Sequence, residues 1–151
     1  AKDKEGKLIF NARYNSYDTV TRAYNYDSFA GLNYTVDVSK PVGGRITITG
    51  MSDGKPFDPA KTYSVAINSY RGSGGGGHLT KGMGLDAGKL KRLELVTSST
   101  TKDLRYYMLK WFEKQTGVVS PVSDDNWKVL PEDWAAAGAK KNHPFLYPPA
   151  K

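Results

Sequence analysis

The sequence predicts an α+β fold, a mostly antiparallel sheet packed on one long amphipathic helix within a single domain. Residues 32–38 and 45–50 alternate nonpolar and polar side chains, which is typical of half-buried strands. Residues 100–117 instead repeat nonpolar side chains at helical spacing. The length of 151 residues suits one domain, and no repeat or linker divides residues 1–151.

The first half of the chain is predicted to hold three strands. The segments 32–38 and 45–50 flank the turn KPVGG and should pair as a β-hairpin. An Asp-Gly pair and two prolines then indicate an exposed loop over 51–62. Residues 62–68 alternate again, so they predict a third strand that ends just before a glycine-rich stretch.

The second half is predicted to be dominated by one helix. A short helix at 85–93, interrupted by a glycine, and a brief strand at 93–99 precede it. The helix at 100–117 should cover the sheet with one nonpolar face, made of Leu104, Tyr107, Met108, Trp111 and Phe112. Thr100 and Asp103 have the spacing of an N-terminal cap, and Gly117 that of a C-terminal stop.

The end of the chain is predicted to lose regular structure. Residues 127–130 should form one more short strand. Three prolines fall within the last eight residues, and proline removes a backbone donor and restricts the preceding residue. The interpretation is therefore an irregular tail over 135–151.

Composition narrows the classes of function. The net charge of +7 favours an anionic partner, although the basic residues are spread along the chain and form no stripe. There is no cysteine, and His78 and His143 lie too far apart for a histidine metal motif. We therefore expect no metal or other cofactor held by this chain alone. No signal peptide or nonpolar run of membrane-spanning length is present, so we expect no membrane span.

The stretch NSYRGSGGGGHLTKG contains four consecutive glycines, Gly74 to Gly77. It does not match a phosphate-binding P-loop, because His78 follows the run and Lys81 precedes a glycine. Dinucleotide-binding and serine-nucleophile motifs fail as well. Two interpretations stay open: a flexible surface loop, or a loop whose bare backbone lies against a planar ligand. In the second, Arg71 could contact an anion.

A second motif, upstream of the glycine-rich stretch, indicates which kind of domain both belong to. The pattern YNYDSFAGLNYTVDVSKPVGGRI, followed later by YSVAINSYRGSGGG, resembles the C-terminal domain of the 5′-nucleotidase family. The nearest branch is similar to the bacterial 2′,3′-cyclic-nucleotide 2′-phosphodiesterase/3′-nucleotidases. The resemblance runs from about Tyr24 to Trp134. It implies a substrate-binding domain that stacks a nucleoside base between two aromatic rings.

The resemblance also assigns residues to this function. Tyr26 matches the first stacking ring, and Asp27 and Ser28 are candidates for polar contacts to the base or ribose. In the family, a glycine-rich stretch ends in the second ring, a place that His78 takes here, with Tyr70 as the alternative. The implied substrate-binding residues are Tyr26, Asp27, Ser28, Tyr70, Arg71, Gly74, Gly75 and His78.

Catalysis is expected to lie outside this chain. The family resemblance implies an N-terminal metallophosphoesterase domain with two divalent metal ions, and arginines that hold phosphate upstream of the first motif. We therefore expect a domain truncated at its N-terminus, with no catalytic residue of its own and inactive alone. Its expected partners are a nucleotide or nucleoside and the catalytic domain of the same polypeptide. The resemblance places the intact enzyme in the periplasm or at the cell surface.

Two other functions remain open from the sequence. A non-enzymatic module for a carbohydrate or a surface partner would use the same aromatic rings. Single-stranded RNA binding is favoured by the charge and the ten tyrosines, but nucleic acid is the less expected partner. It would require an affinity that falls steeply with salt.

Overall fold

The computed structural model describes residues 1–13, 15–21, 23–91 and 95–147. Both helices and sheets are present, which confirms the mixed α+β class. The chain falls into two compact units. Ala1–Ala60 and the chain from Ser123 onward form the first, and Lys61–Val122 form the second. That residues 1–151 act as one domain stays a prediction.

The strands formed by the described residues lie in the first unit. β1 (Phe10–Asn11) pairs with β2 (Ser16–Tyr17) in a small antiparallel hairpin. β3 (Leu32–Asp37), β4 (Ile46–Met51) and β5 (Trp127–Leu130) form a second sheet in the order β4–β3–β5.

The three-stranded sheet is mixed in direction. β3 pairs antiparallel with β4, so the predicted hairpin and the short strand at 127–130 are both confirmed. β3 pairs parallel with β5, and the prediction of a mostly antiparallel sheet is therefore not confirmed. A parallel pair needs a long connection, here the whole chain between Asp37 and Trp127, which includes β4.

Tyr34 on β3 is the centre of this sheet. It is 6% exposed and stacks on Trp127 of β5, with ring centroids 6.0 Å apart and planes 8° from parallel. Phe29 meets the Tyr34 ring edge-on at 6.4 Å. These two rings cover Tyr34 on the central strand of the sheet.

The C-terminal segment is helical, contrary to the prediction. α4 runs over Glu132–Leu146, so an irregular tail from 135 is wrong as far as 146, and residues 148–151 lie outside the described part. Alanines and lysines dominate the middle of α4 and have high helix propensity. Acidic residues in the first turn favour its N-terminus, and Pro144 falls only in the last turn. Phe145 packs edge-on against Tyr17 at 5.7 Å.

The described residues of the second unit are helical where they have regular structure. α1 covers Ser69–Gly72, α2 Ala87–Lys91 and α3 Leu104–Phe112. α2 confirms a short helix within 85–93. No strand forms over 62–68 or over the described part of 93–99, residues 95–99, so both strand predictions are wrong there. Residues 93 and 94 lie outside the described part.

α3 is shorter than predicted. It begins after Asp103, whose carboxylate accepts a hydrogen bond from the Tyr106 amide at 3.0 Å, and it ends well before Gly117. Its predicted nonpolar face is exposed, at 67% for Leu104 and 51% for Trp111. A long helix covering the sheet is therefore not confirmed. Helical periodicity identifies a nonpolar face, but it does not say what covers that face.

Helices within the described ranges are all too short or too polar to cross a bilayer.

Candidate functional site

The eight predicted site residues lie in two separate segments. Tyr26, Asp27 and Ser28 belong to the Tyr26 segment, defined as residues 26–30 of the first unit. The other five belong to the glycine segment, defined as residues 68–82 of the second unit.

The Tyr26 segment presents its residues to solvent. It follows a single 3-10 turn at Ala23–Asn25 and has irregular backbone up to the start of β3. The Tyr26 side chain is 74% exposed, and Asp27 and Ser28 are exposed as well. An exposed ring followed by two polar side chains suits stacking with accompanying hydrogen bonds.

Asn126 anchors the end of this segment to the sheet. Its side-chain Nδ2 donates to the carbonyl oxygens of Phe29, at 2.6 Å, and Leu32, at 2.7 Å. Its own carbonyl accepts from the Tyr34 amide at 2.9 Å. The Phe29 amide in turn donates to the Tyr34 hydroxyl at 3.1 Å. The backbone just after Tyr26, Asp27 and Ser28 is therefore fixed on both sides of Phe29.

Sequence reasoning missed Asn126. It lies 97 residues from Phe29 and 94 from Leu32, and no local pattern connects positions so far apart. The contact exists because β5 lies beside β3, which brings the residue before Trp127 to the start of β3.

The glycine segment is a series of tight turns. Gly75–Gly77 form a 3-10 turn, and His78–Gly82 form a π-helical turn. The φ angles of Gly74, Gly76 and Gly77 are 94°, 76° and 79°, in the left-handed region that side chains disfavour. Three of the four consecutive glycines are therefore required by the backbone, which folds back on itself and does not lie extended.

Gly74 lies against the buried part of the second unit. A Cβ at this position would lie 3.1 Å from the Thr80 methyl and 3.5 Å from Leu90, which is 3% exposed. The glycine run is thus packed on its own unit, which does not favour the interpretation as a flexible surface loop.

Gly75 is required by a close approach to Tyr70. A Cβ here would lie 2.5 Å from the Tyr70 carbonyl oxygen and 2.6 Å from two atoms of its ring. Arg71 completes the contact, since its Nη1 donates to the Gly75 carbonyl at 3.3 Å. The Arg71 guanidinium also lies over the Tyr70 ring, 5.3 Å from the centroid. Arg71 is 8% exposed, while Tyr70 is 54% exposed.

Asn68 fixes the start of this arrangement and was also missed. It is the N-cap of α1, and its side-chain oxygen accepts from the Arg71 amide at 2.9 Å. The sequence did contain a signal for this role. Asparagine is a preferred N-cap residue, and its side-chain oxygen accepts a hydrogen bond from the backbone amide two or three residues later.

His78 and Tyr70, the two candidates for the second ring, differ in accessibility. His78 is half-buried where the π-helical turn begins, and its Nδ1 is buried. The Tyr70 ring is more exposed. Which of them contacts a base stays a prediction, and the exposed surface favours Tyr70.

Asp37 and Asp53 of the first unit have lowered pKa values. A hydrogen bond from the Ser39 hydroxyl lowers the pKa of Asp37 at the end of β3. Hydrogen bonds from Lys55 lower the pKa of Asp53. Over the described ranges, no three His, Asp or Glu side chains are grouped so that they could bind a metal ion.

Comparison with known proteins assigns the family. The family model described as the C-terminal domain of 5′-nucleotidase matches residues 7–81. The chain belongs to this family. The match contains all eight predicted site residues and confirms the resemblance found in the two sequence motifs.

Curated relatives agree with this family. The chain is 32% identical to a trifunctional nucleotide phosphoesterase protein of Bacillus subtilis, over 73% of this chain and 8% of the relative. It is 29% identical to a 2′,3′-cyclic-nucleotide 2′-phosphodiesterase/3′-nucleotidase of Salmonella typhimurium, over 73% of this chain and 18% of the relative. A Haemophilus influenzae protein of the same description is 26% identical, over 73% and 17%.

The chain therefore spans less than a fifth of the length of each of these relatives. No solved structure matches it.

Proposed function

We propose that this chain is the nucleotide-recognition domain of an exported, metal-dependent phosphoesterase, a 5′-nucleotidase or a 2′,3′-cyclic phosphodiesterase/3′-nucleotidase. Membership of the 5′-nucleotidase C-terminal domain family supports the proposal, as do relatives described as nucleotide phosphoesterases. The observation that carries it is Tyr26, an exposed ring whose segment is anchored to the sheet by Asn126.

Tyr26 has the physical properties that base stacking needs. Stacking of a base on an aromatic ring contributes about 1–3 kcal/mol to binding. Any base can stack in this way, because every base has a π face. The anchored backbone after Tyr26 is already ordered, so binding loses less conformational entropy than it would with a free loop. Asp27 and Ser28 then supply hydrogen-bonding groups for the base edge or the ribose hydroxyls.

The glycine segment has a separate part in the proposal. Its backbone is held in tight turns, and Tyr70 stands exposed beside Gly75. We assign Gly74 and Gly75 to the shape of this surface, and the exposed Tyr70 ring to nucleoside contact in preference to His78.

Catalysis is assigned to the remainder of the polypeptide. Two divalent metal ions in a catalytic domain would activate the water that attacks phosphorus. The residues described here would bind and orient the nucleoside, so the 151-residue chain alone should not hydrolyse nucleotides. The intact enzyme would work in the periplasm or at the cell surface.

A titration of adenosine into the 151-residue chain tests the proposal. Tyr26→Ala should weaken the binding of adenosine by about 5- to 150-fold, which corresponds to the loss of one stacked ring. Tyr24→Ala is the matched control, because Tyr24 lies two residues away and is 68% exposed. It should leave the affinity within about twofold.

Equal losses in the two variants would contradict the proposal. Displacement of adenosine by an oligosaccharide at the same residues would favour the carbohydrate-binding alternative. An affinity that falls steeply with salt and rises with the length of an RNA strand would favour RNA binding.

A further inference from the structure

Arg71 carries a positive charge in a buried position, at 8% exposure. A buried charge is tolerated when it is paired or hydrogen-bonded within the protein. From its contacts we infer that Arg71 is a positioning residue, which holds the Tyr70 ring and the Gly75 turn for nucleoside binding and does not contact phosphate. The inference rests on the proposed function and assigns the role of one residue within it.

Two contacts of the guanidinium support this role. Its Nη1 lies 3.3 Å from the Gly75 carbonyl oxygen, and its central carbon lies 5.3 Å from the centroid of the Tyr70 ring. A planar guanidinium can place its face on an aromatic ring while its N–H groups donate within the plane. A lysine ammonium has no such plane, so it cannot make both contacts in the same way.

The Tyr70 ring is confined by a second neighbour. Gly75 leaves no room for a side chain, since a Cβ would lie 2.6 Å from two ring atoms and 2.5 Å from the Tyr70 carbonyl oxygen. Asn68 fixes the backbone of Arg71 through the cap of α1. Tyr70 is thus held by Arg71 and Gly75 and is still 54% exposed, as a preformed stacking surface requires.

The two roles of Arg71 predict different ligand dependence. A residue that positions an aromatic ring affects adenosine and 3′-AMP equally, because both carry the base. A residue that contacts phosphate affects 3′-AMP only. The charge-conserving variant separates the roles further, since lysine still attracts phosphate but does not reproduce the planar contact.

The test measures dissociation constants for adenosine and 3′-AMP in the unaltered chain, Arg71→Lys and Arg71→Met. Both variants should weaken the binding of adenosine and of 3′-AMP by the same factor, about three- to tenfold. Arg71→Lys should bind no better than Arg71→Met. The NMR signals of the Tyr70 ring should shift in both variants before ligand is added. A loss confined to 3′-AMP, rescue by lysine, or unshifted Tyr70 signals would overturn the role of Arg71.

Gly75→Ala tests the position of the Tyr70 ring in a second way and leaves Arg71 unchanged. It should displace Tyr70 and weaken adenosine and 3′-AMP equally, even if the Arg71 variants fail to fold. Gly72→Ala is the matched control, because its Cβ would meet only Ile67 at 3.7 Å, an ordinary contact. If Gly75→Ala binds both ligands normally, the role of the Tyr70–Arg71–Gly75 arrangement is overturned.

The result also separates this inference from the proposed function. Failure of the unaltered chain to bind adenosine would overturn the proposed function, and the role of Arg71 with it. Normal adenosine binding that depends on Tyr26 but not on Arg71 or Gly75 would overturn the role of Arg71 alone.

Discussion

The Tyr26 segment and the glycine segment are held in place by different kinds of contact. Asn126 and Tyr34 hold the first, and Asn126 is 97 residues from Phe29 in the chain. Close neighbours hold the second: Asn68 caps Arg71 three residues later, and Arg71 bonds Gly75 four residues later. One segment therefore depends on the assembled sheet, while the other depends on local backbone chemistry.

This difference has a physical consequence. Contacts between distant residues form only after a long loop of chain has closed, so they are lost together when the sheet opens. Local contacts close short loops and can persist independently of the sheet. The two segments should therefore respond differently to variants that remove one anchoring side chain from each.

Asn126→Ala is expected to have the largest effect on the free energy of unfolding. The variant removes the two hydrogen bonds that the Asn126 amide donates to Phe29 and Leu32. At about 0.5–1.5 kcal/mol for each bond, the free energy of unfolding should fall by about 1–3 kcal/mol. Urea denaturation measures this loss, and amide hydrogen exchange should become faster at Phe29 but not at Arg71.

Asn142→Ala is the matched control for this variant. Asn142 is exposed within α4, and alanine has the higher helix propensity, so stability should change by less than about 0.5 kcal/mol. Equal destabilisation by the two variants, or faster exchange at Arg71 in Asn126→Ala, would show that the Tyr26 segment is not specifically anchored by Asn126.

Asn68→Ala is expected to have a smaller, local effect. It removes the acceptor that caps α1, and loss of an N-cap costs about 1 kcal/mol. Hydrogen exchange at the Arg71 amide should become faster, while exchange at Phe29 should not change. Asn68→Asp keeps an acceptor at the same position and should restore protection of Arg71. If the Arg71 amide exchanges as fast in Asn68→Asp as in Asn68→Ala, the cap does not fix this turn.

The same distinction explains which parts of the fold could be predicted. Alternation located β3 and β4, and the turn between them gave their antiparallel pairing, since both signals are local. Alternation failed over 62–68, where Val65 is 62% exposed, because a pattern of side chains does not provide a neighbouring strand. The parallel pairing of β5 with β3 could not be predicted, as it joins residues more than 90 positions apart.

α4 was missed for a different reason. The prolines near the end of the chain predict irregular structure, but the alanines and lysines of 135–141 favour a helix, and Pro144 is tolerated in its last turn. For the candidate site, the sequence predicted two segments, which stay a prediction although both lie within the matched family range, and it missed Asn126 and Asn68, which fix their backbones. The nonpolar side chains of α3 were identified as well, but not their exposure.

The central claim is that the Tyr26 segment and the glycine segment recognise the nucleoside part of a nucleotide. A map of backbone amide shifts for the 151-residue chain, recorded with adenosine, with 3′-AMP and with inorganic phosphate, tests it most directly. Adenosine and 3′-AMP should shift the same amides in the Tyr26 segment and around 72–78, and inorganic phosphate should leave those amides unchanged. Shifts with phosphate alone, or shifts confined to residues outside both segments, would contradict the claim.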